Sequence, residues 1–277
     1  MKKSIVWLAS YPKSGNTWAR IFLANYMLDR DVPLPINEVR RFGTGDAITH
    51  YYKKLAGPAL DPNDWKAVVS VRMKVLRAIV SNNADVNLVK THNIAGDVGG
   101  VTLIPRELTR SVVYIVRNPL DMVISYANHF GLEKAAAVDA IGRSDNVVMG
   151  DDASVIQFLG SWSEHVQSWA KGVDKNTLII RYEDMLENPT ATFTDLLQHL
   201  GVPVHSGRLQ RAIKFSQFDE LAKQEASVGF GEKSAYADRF FGAGKSGRWR
   251  DELSDDLVKQ IRLRHKRSMK QYGYWND

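Results

Sequence analysis

The run Ser4-Ile5-Val6-Trp7-Leu8-Ala9-Ser10 passes without interruption into Tyr11-Pro12-Lys13-Ser14-Gly15-Asn16-Thr17-Trp18, and this junction decides the reading of the fold. The first seven residues are almost continuously apolar, the pattern of a strand buried on both faces. From Thr17 to Leu28 the residues Trp18, Ile21, Phe22 and Met27 recur at helical spacing. A strand–loop–helix turn of this kind aims freed backbone N–H groups and a helix N-terminus at one spot, which suits a phosphate. Gly15 allows close approach, Lys13 supplies a compact cation, and Ser14 and Thr17 add hydroxyl donors. The G-x-x-x-x-G-K-[ST] spacing is missing, because the lysine precedes the glycine. An ordinary strand-to-helix turn with a chance lysine fits the same residues.

Three further β-type runs follow: Val86–Lys90, Ser111–Arg117 and Thr177–Tyr182. Helical patterns separate them, over Leu120–Phe130 and over Ala153–Lys171, where Phe158, Trp162, Val166 and Trp169 share a face. Strands alternating with helices predict one α/β domain over residues 1–277, with a mainly parallel central sheet flanked by helices. Asp31–Asp64 and Gly131–Asp152 are less regular and read as lids or binding loops. Ser254–Gln271 reads as a charged amphipathic helix with Ser254 as N-cap.

Composition narrows the function classes. In 277 residues, 44% are hydrophobic and 25% charged, an ordinary globular balance, and the chain has no cysteine. Disulfides, thiolate metal sites and a cysteine nucleophile are therefore excluded. The apolar run after Met1-Lys2-Lys3 is too short for a signal peptide, and no stretch approaches the roughly 18 apolar residues that span a bilayer. A cytoplasmic protein without membrane insertion is the expectation. The net charge of +6 owes much to Arg262, Arg264, Lys266, Arg267 and Lys270, which read as a solvated helix face or a nucleic-acid-binding one.

In open parallel sheets, ligands bind beyond the carboxyl ends of the strands. Those ends read Tyr11–Trp18, Lys90-Thr91-His92, Arg117-Asn118-Pro119 and Arg181-Tyr182-Glu183-Asp184. Asn118 is a good N-cap and Pro119 a good first helical residue. Arg117 at the sheet edge either forks onto a phosphate or pairs with Asp121. His92 is either a loop histidine or an acid–base group.

Tyr11–Trp18 closely resembles the 5′-phosphosulfate loop, YPKSGTTW, of sulfotransferases that use 3′-phosphoadenosine-5′-phosphosulfate (PAPS). Val116–Asp121 with Ser125-Tyr126 is similar to that family's 3′-phosphate motif, Lys90-Thr91-His92 to its KTH segment and Arg181–Asp184 to its YED segment. Gly244–Arg250 resembles its C-terminal GxxGxW segment. The resemblances occur in family order over residues 5 to about 250. More loosely, Gly160–Trp169 resembles bacterial members that sulfate secondary metabolites.

The resemblance implies transfer of a sulfuryl group to a hydroxyl of a small-molecule acceptor, leaving PAP, with no metal and no nucleic acid as partner. It implies Lys13 on the leaving side, His92 as the acceptor's general base and Lys90 as a second stabiliser of the sulfuryl group. Ser14, Gly15, Asn16 and Thr17 would hold the 5′-phosphate, and Arg117 and Ser125 the 3′-phosphate. Trp18 and Phe218 would sandwich adenine, with Tyr182 near it. Two departures stand out. Asn16 replaces a threonine, and Gly242-Ala243-Gly244 replaces the family's Arg-Lys-Gly. The missing basic pair suggests Lys245, in the glycine-flanked turn ending at Gly247, as a substitute. A Mg²⁺-dependent phosphoryl transferase and a nucleic-acid-binding protein are the rival readings.

Overall fold

The computed structural model describes residues 4–172, 176–242 and 244–276. Its strands are β1 (Ser4–Ser10), β2 (Thr44–Gly45), β3 (Val86–Thr91), β4 (Asp97–Val98), β5 (Val101–Thr102), β6 (Thr109–Val116), β7 (Val147–Val148), β8 (Gln157–Phe158) and β9 (Thr177–Arg181). Five of them form one sheet in the order β2-β3-β1-β6-β9. β1 runs parallel to β3, with Leu8 opposite Lys90 and Ala9 opposite Thr91, and β2 also runs parallel to β3. The ribbons β4–β5 and β7–β8 are antiparallel and separate from this sheet. The α/β class and the central sheet are as the sequence predicts.

Contacts divide the chain into two compact units. One comprises Met1–Tyr11, Gly43–Tyr114 and Ile141–Ile179, the other Pro12–Phe42, Ile115–Ala140 and Ile180–Asp277. The chain leaves the first unit just after β1, inside β6 and inside β9. Three of the four strand ends read as ligand-binding therefore lie where the chain passes from the first unit to the second, and the fourth, Lys90-Thr91-His92, lies within the first unit.

In the first unit Ile5, Trp7, Leu8, Val89, Val112, Val113 and Tyr114 of the sheet are buried, with Val75 and Leu76 of helix Trp65–Val80 and Trp162, Val166 and Trp169 of helix Trp162–Gly172. Each such side chain contributes about 1.5–3 kcal/mol through burial. Asp64 caps helix Trp65–Val80, accepting from the N–H groups of Lys66 and Ala67. The helix expected over Ala153–Lys171 begins only at Trp162, and Gln157–Phe158 pairs in β8 instead. Gly160 at φ 64° breaks the run. A capping box then starts the helix: the Ser161 N–H donates to Glu164 Oε2 at 2.9 Å and the Glu164 N–H to Ser161 Oγ at 3.2 Å.

In the second unit helix Asn16–Leu28 buries Ile21, Phe22 and Leu23, and Phe22 stacks on Phe193 with centroids 3.9 Å apart. Asn118 caps helix Pro119–Phe130 as expected, accepting from the Leu120 N–H at 3.0 Å. The segments read as irregular carry some regular structure, a 3₁₀ turn at Ile36–Arg41 and helices at Thr49–Ala56 and Lys134–Ile141. Helix Asp255–Gln271 buries Ile261, His265 and Met269 and exposes Lys266, Arg267 and Lys270. Ser254 occupies its N-cap position without a side-chain cap bond. Among the described residues no helix is long and apolar enough to cross a membrane.

Candidate active site

The turn after β1 departs from ordinary backbone. Lys13 adopts φ 67°, an uncommon left-handed conformation for a side-chain-bearing residue, and Gly15 adopts φ 101°. Gly15 is also required by space, since a Cβ there would lie 2.7 Å from the Tyr182 ring. Gly15 is the N-cap residue of helix Asn16–Leu28 and offers no side-chain cap. The first N–H groups of that helix therefore lack the capping that Asn118 gives helix Pro119–Phe130.

Around this turn the second unit gathers most of the expected nucleotide residues. Arg117 is 9% exposed, lies over the Tyr182 ring at 4.2 Å and donates from Nη1 to the Lys13 carbonyl at 3.0 Å. Its Nε and the Ser14 Oγ are both buried without a hydrogen-bond partner. Such atoms cost about 1–3 kcal/mol each unless something accepts from them. The Lys13 ammonium rests on the face of Phe240, 3.8 Å from its centroid. Trp18 meets Tyr182 edge-on at 5.7 Å, and Trp18 and Phe218 both pack on the cluster of Ile21, Ile36, Val39, Leu221, Phe230 and Phe241. Burial raises the Tyr182 pKa, partly offset by Arg117.

Other expected residues have plainer surroundings. Ser125 lies half-buried on helix Pro119–Phe130. Lys245 is exposed, and the neighbouring Gly244 packs on Phe218, whose ring a Cβ would approach to 2.3 Å. Gly247 has its N–H committed to Asp121 Oδ2 at 2.6 Å, and the Trp249 N–H goes to Asp121 Oδ1 at 3.1 Å. Asp121 thus anchors the glycine turn, where the alternative sequence reading pairs it with Arg117. Ala243 lies outside the described residues.

The motif reading gives no role to two carboxylates of this unit, Glu183 within the YED-like segment and Glu232 outside every motif. Glu183 accepts from the Asn118 N–H at 3.0 Å and from the Tyr274 hydroxyl at 2.8 Å, and burial raises its pKa. It ties the start of helix Pro119–Phe130 to the C-terminal segment. Glu232 accepts from the Thr17 hydroxyl at 3.2 Å and pairs with Arg20 Nη1 at 2.9 Å. A carboxylate therefore occupies one hydroxyl donor of the phosphate-type turn. Its separation from Thr17 of 215 residues hides it from any local pattern.

In the first unit His92 sits half-buried just past β3. Its Nδ1 lies 2.7 Å from the Ser10 carbonyl and 3.3 Å from the Ser10 hydroxyl. A carbonyl only accepts, so Nδ1 carries the proton and the ring's lone pair lies on Nε2. Lys90, two residues earlier, is half-buried, and its carbonyl accepts from the Asp46 N–H at 3.2 Å. Asp46 Oδ2 accepts from the Thr91 hydroxyl at 2.8 Å, the Asn93 amide at 3.0 Å and Arg72 Nη2 at 2.6 Å, all buried.

Comparison with known proteins fits these arrangements. A family model for the sulfotransferase domain matches residues 3–273 and so runs through both units. Sulfotransferase 4A1 of Mus musculus is 24% identical over 97% of this chain and 81% of its own length. Flavonol 3-sulfotransferase of Flaveria bidentis is 25% identical over 92% and 78%. Among solved structures, retinol dehydratase in a complex with retinol and PAP superposes with a TM-score of 0.66 at 20% identity, covering 98% of this chain and 82% of that one. Mouse sulfotransferase SULT7A1 complexed with PAP gives 0.63 at 18% identity, over 97% and 86%. With the family's motif positions on one turn, one capped helix start and one strand end, the chain belongs to the sulfotransferase family, enzymes of PAPS-dependent sulfuryl transfer.

Proposed function

We propose that this chain transfers a sulfuryl group from PAPS to a hydroxyl of a small-molecule acceptor, with the donor held around Lys13 and Arg117 and with His92 as base. The observation that carries the reading is the pair of buried, unpartnered donors, Ser14 Oγ and Arg117 Nε. Phosphate oxygens accept from hydroxyl and guanidinium donors and so suit both.

When bound, PAPS supplies an activated sulfuryl group and a phosphate leaving group. The backbone and side chains of Ser14 to Thr17 hold its 5′ end, and Arg117 with Ser125 holds the 3′-phosphate. Trp18, Phe218 and Tyr182 serve the adenine. Lys13 places a positive charge on the leaving side, an electrostatic role that asks little covalent chemistry of the protein. Lys90 adds a second cation for the sulfuryl oxygens. His92, protonated at Nδ1, takes the acceptor's proton at Nε2.

Incubation with PAPS and a panel of hydroxyl acceptors headed by flavonols, the class named by one relative, tests this directly. Mass spectrometry should detect a sulfated product whose formation a chelator leaves unchanged. A strict Mg²⁺ requirement together with turnover of ATP would replace this reading with phosphoryl transfer.

A further inference from the structure

One helix makes three hydrogen bonds to the backbone that carries His92. Helix Trp162–Gly172 directs His165, Ser168 and Trp169, spaced i, i+3 and i+4 on one face, at residues 92–95. His165 Nε2 lies 3.0 Å from the His92 carbonyl, Trp169 Nε1 donates to the Asn93 carbonyl at 3.1 Å, and Ser168 Oγ accepts from the Ala95 N–H at 3.1 Å. The His92 carbonyl can only accept, so His165 is protonated at Nε2. Its Nδ1 then accepts from the Tyr114 hydroxyl at 2.9 Å. The Tyr11 ring closes against the imidazole edge-on at 5.2 Å. Both nitrogens of His165 are thus committed, in a site with 0% exposure.

A fully buried histidine is an expensive way to fill a core, because burial holds its pKa near 4 and keeps it neutral. Phenylalanine would fill the space without polar atoms to satisfy. Phenylalanine cannot donate to the His92 carbonyl while accepting from Tyr114. The bond falls on the peptide of the very residue whose Nδ1 must meet the Ser10 carbonyl. A shift of that peptide by a few tenths of an ångström would move the imidazole away from its tautomer-setting partner.

We infer that His165 is a positioning residue that, through the His92 carbonyl, fixes the imidazole of His92 in the Nδ1–H tautomer, an inference resting on the assignment of His92 as base. The Tyr114 hydroxyl donates to the His165 Nδ1 left unprotonated by this arrangement, and Ser168 and Trp169 hold the following residues.

The test uses the full-length protein labelled with ¹⁵N-histidine and reads the His92 ring nitrogens by NMR at neutral pH or above. His165→Phe removes both hydrogen bonds, whereas His165→Gln keeps a side-chain amide that can donate to the His92 carbonyl. Wild type should show a protonated Nδ1 and an unprotonated Nε2. In His165→Phe these signals should move towards a mixture of tautomers, and turnover of PAPS with the flavonol that the acceptor panel finds sulfated should fall about 10- to 100-fold. PAP affinity by calorimetry should stay within about twofold, and His165→Gln should recover most of both readouts. If His165→Phe fails to bind PAP, Tyr114→Phe replaces it and should show a smaller tautomer shift in the same direction. An unchanged His92 tautomer in a variant that binds PAP, or a Gln variant as impaired as Phe, overturns the inference. Full turnover in His92→Gln would instead overturn the base assignment, while leaving the tautomer result to stand.

Discussion

The turn after β1 and the strand end at His92 treat buried polar atoms in opposite ways. At the turn, Ser14 Oγ and Arg117 Nε are buried with nothing to accept from them, Lys13 holds an unfavourable φ, and the helix start has no side-chain cap. Around His92 the polar groups interlock: Asp46 gathers three donors, and His165 commits both ring nitrogens. Buried donors without partners on a backbone of uncommon φ are the features on which the proposed binding of the nucleotide's phosphates rests. A satisfied network marks a place where a side chain is held still before any ligand arrives. One region leaves polar atoms unpartnered within the protein, and the other pairs them.

The largest effects should come from the two residues assigned to the reaction itself. His92→Gln should lower turnover by roughly 100-fold to 10,000-fold while PAP binding is retained. Lys13→Ala should lower turnover by on the order of 100-fold. Steady-state kinetics with saturating PAPS separates the two roles from binding. Wild-type turnover in either variant would break the contrast on that side.

Acid should expose the satisfied network next. The folded-state pKa of His165 is near 4, against about 6.5 when unfolded. Between those values the unfolded chain binds the extra proton, so stability is full above pH 6.5 and is lost as the pH falls towards 4. The loss amounts to roughly 3 kcal/mol at most. Denaturant melts across this window should show it, and His165→Gln should flatten that part of the profile.

The turn after β1 should respond to anions instead. Arg117→Met keeps an unbranched apolar stem but removes the guanidinium, both the unpartnered Nε and the Nη1 bond to the Lys13 carbonyl, and should weaken PAP by about 1–3 kcal/mol. Binding of adenosine 5′-phosphate should change much less. Lys245→Ala tests the replacement of the missing basic pair by the same comparison of nucleotides. A smaller effect of opposite sign is expected at Glu232. Glu232→Gln removes a negative charge from Thr17 and leaves Arg20 uncompensated, and should tighten PAP about 3- to 10-fold. Weaker binding in that variant would mean that Glu232 supports the turn rather than competing for it.

Much of this was legible in the sequence, and the reason is local. β1, β3, β6 and β9 are short apolar runs, and Asn118-Pro119 announces a helix start from two adjacent residues. The turn at Lys13–Thr17 is likewise contiguous. The two-residue strands β2, β7 and β8 carry too little pattern to be read. The helix at Trp162 begins late because the Ser161–Glu164 capping box and Gly160 outweigh an apolar stripe that continues through Phe158. The carboxylates that hold the site lie far along the chain from their partners: Asp121 is 126 residues from Gly247, and Asp46 is 45 from Thr91. No periodicity connects such residues. Only the fold brings them together.

Titration calorimetry of the wild-type protein with PAP and with adenosine 5′-phosphate addresses the central claim most directly. It asks whether the polar atoms left unsatisfied around Ser14 and Arg117 are there for a nucleotide with phosphates on both the 3′ and 5′ positions of its ribose. PAP should bind one to one, and loss of the 3′-phosphate should weaken binding at least about 10-fold. Equal affinity for the two nucleotides, or binding of neither, would contradict the account.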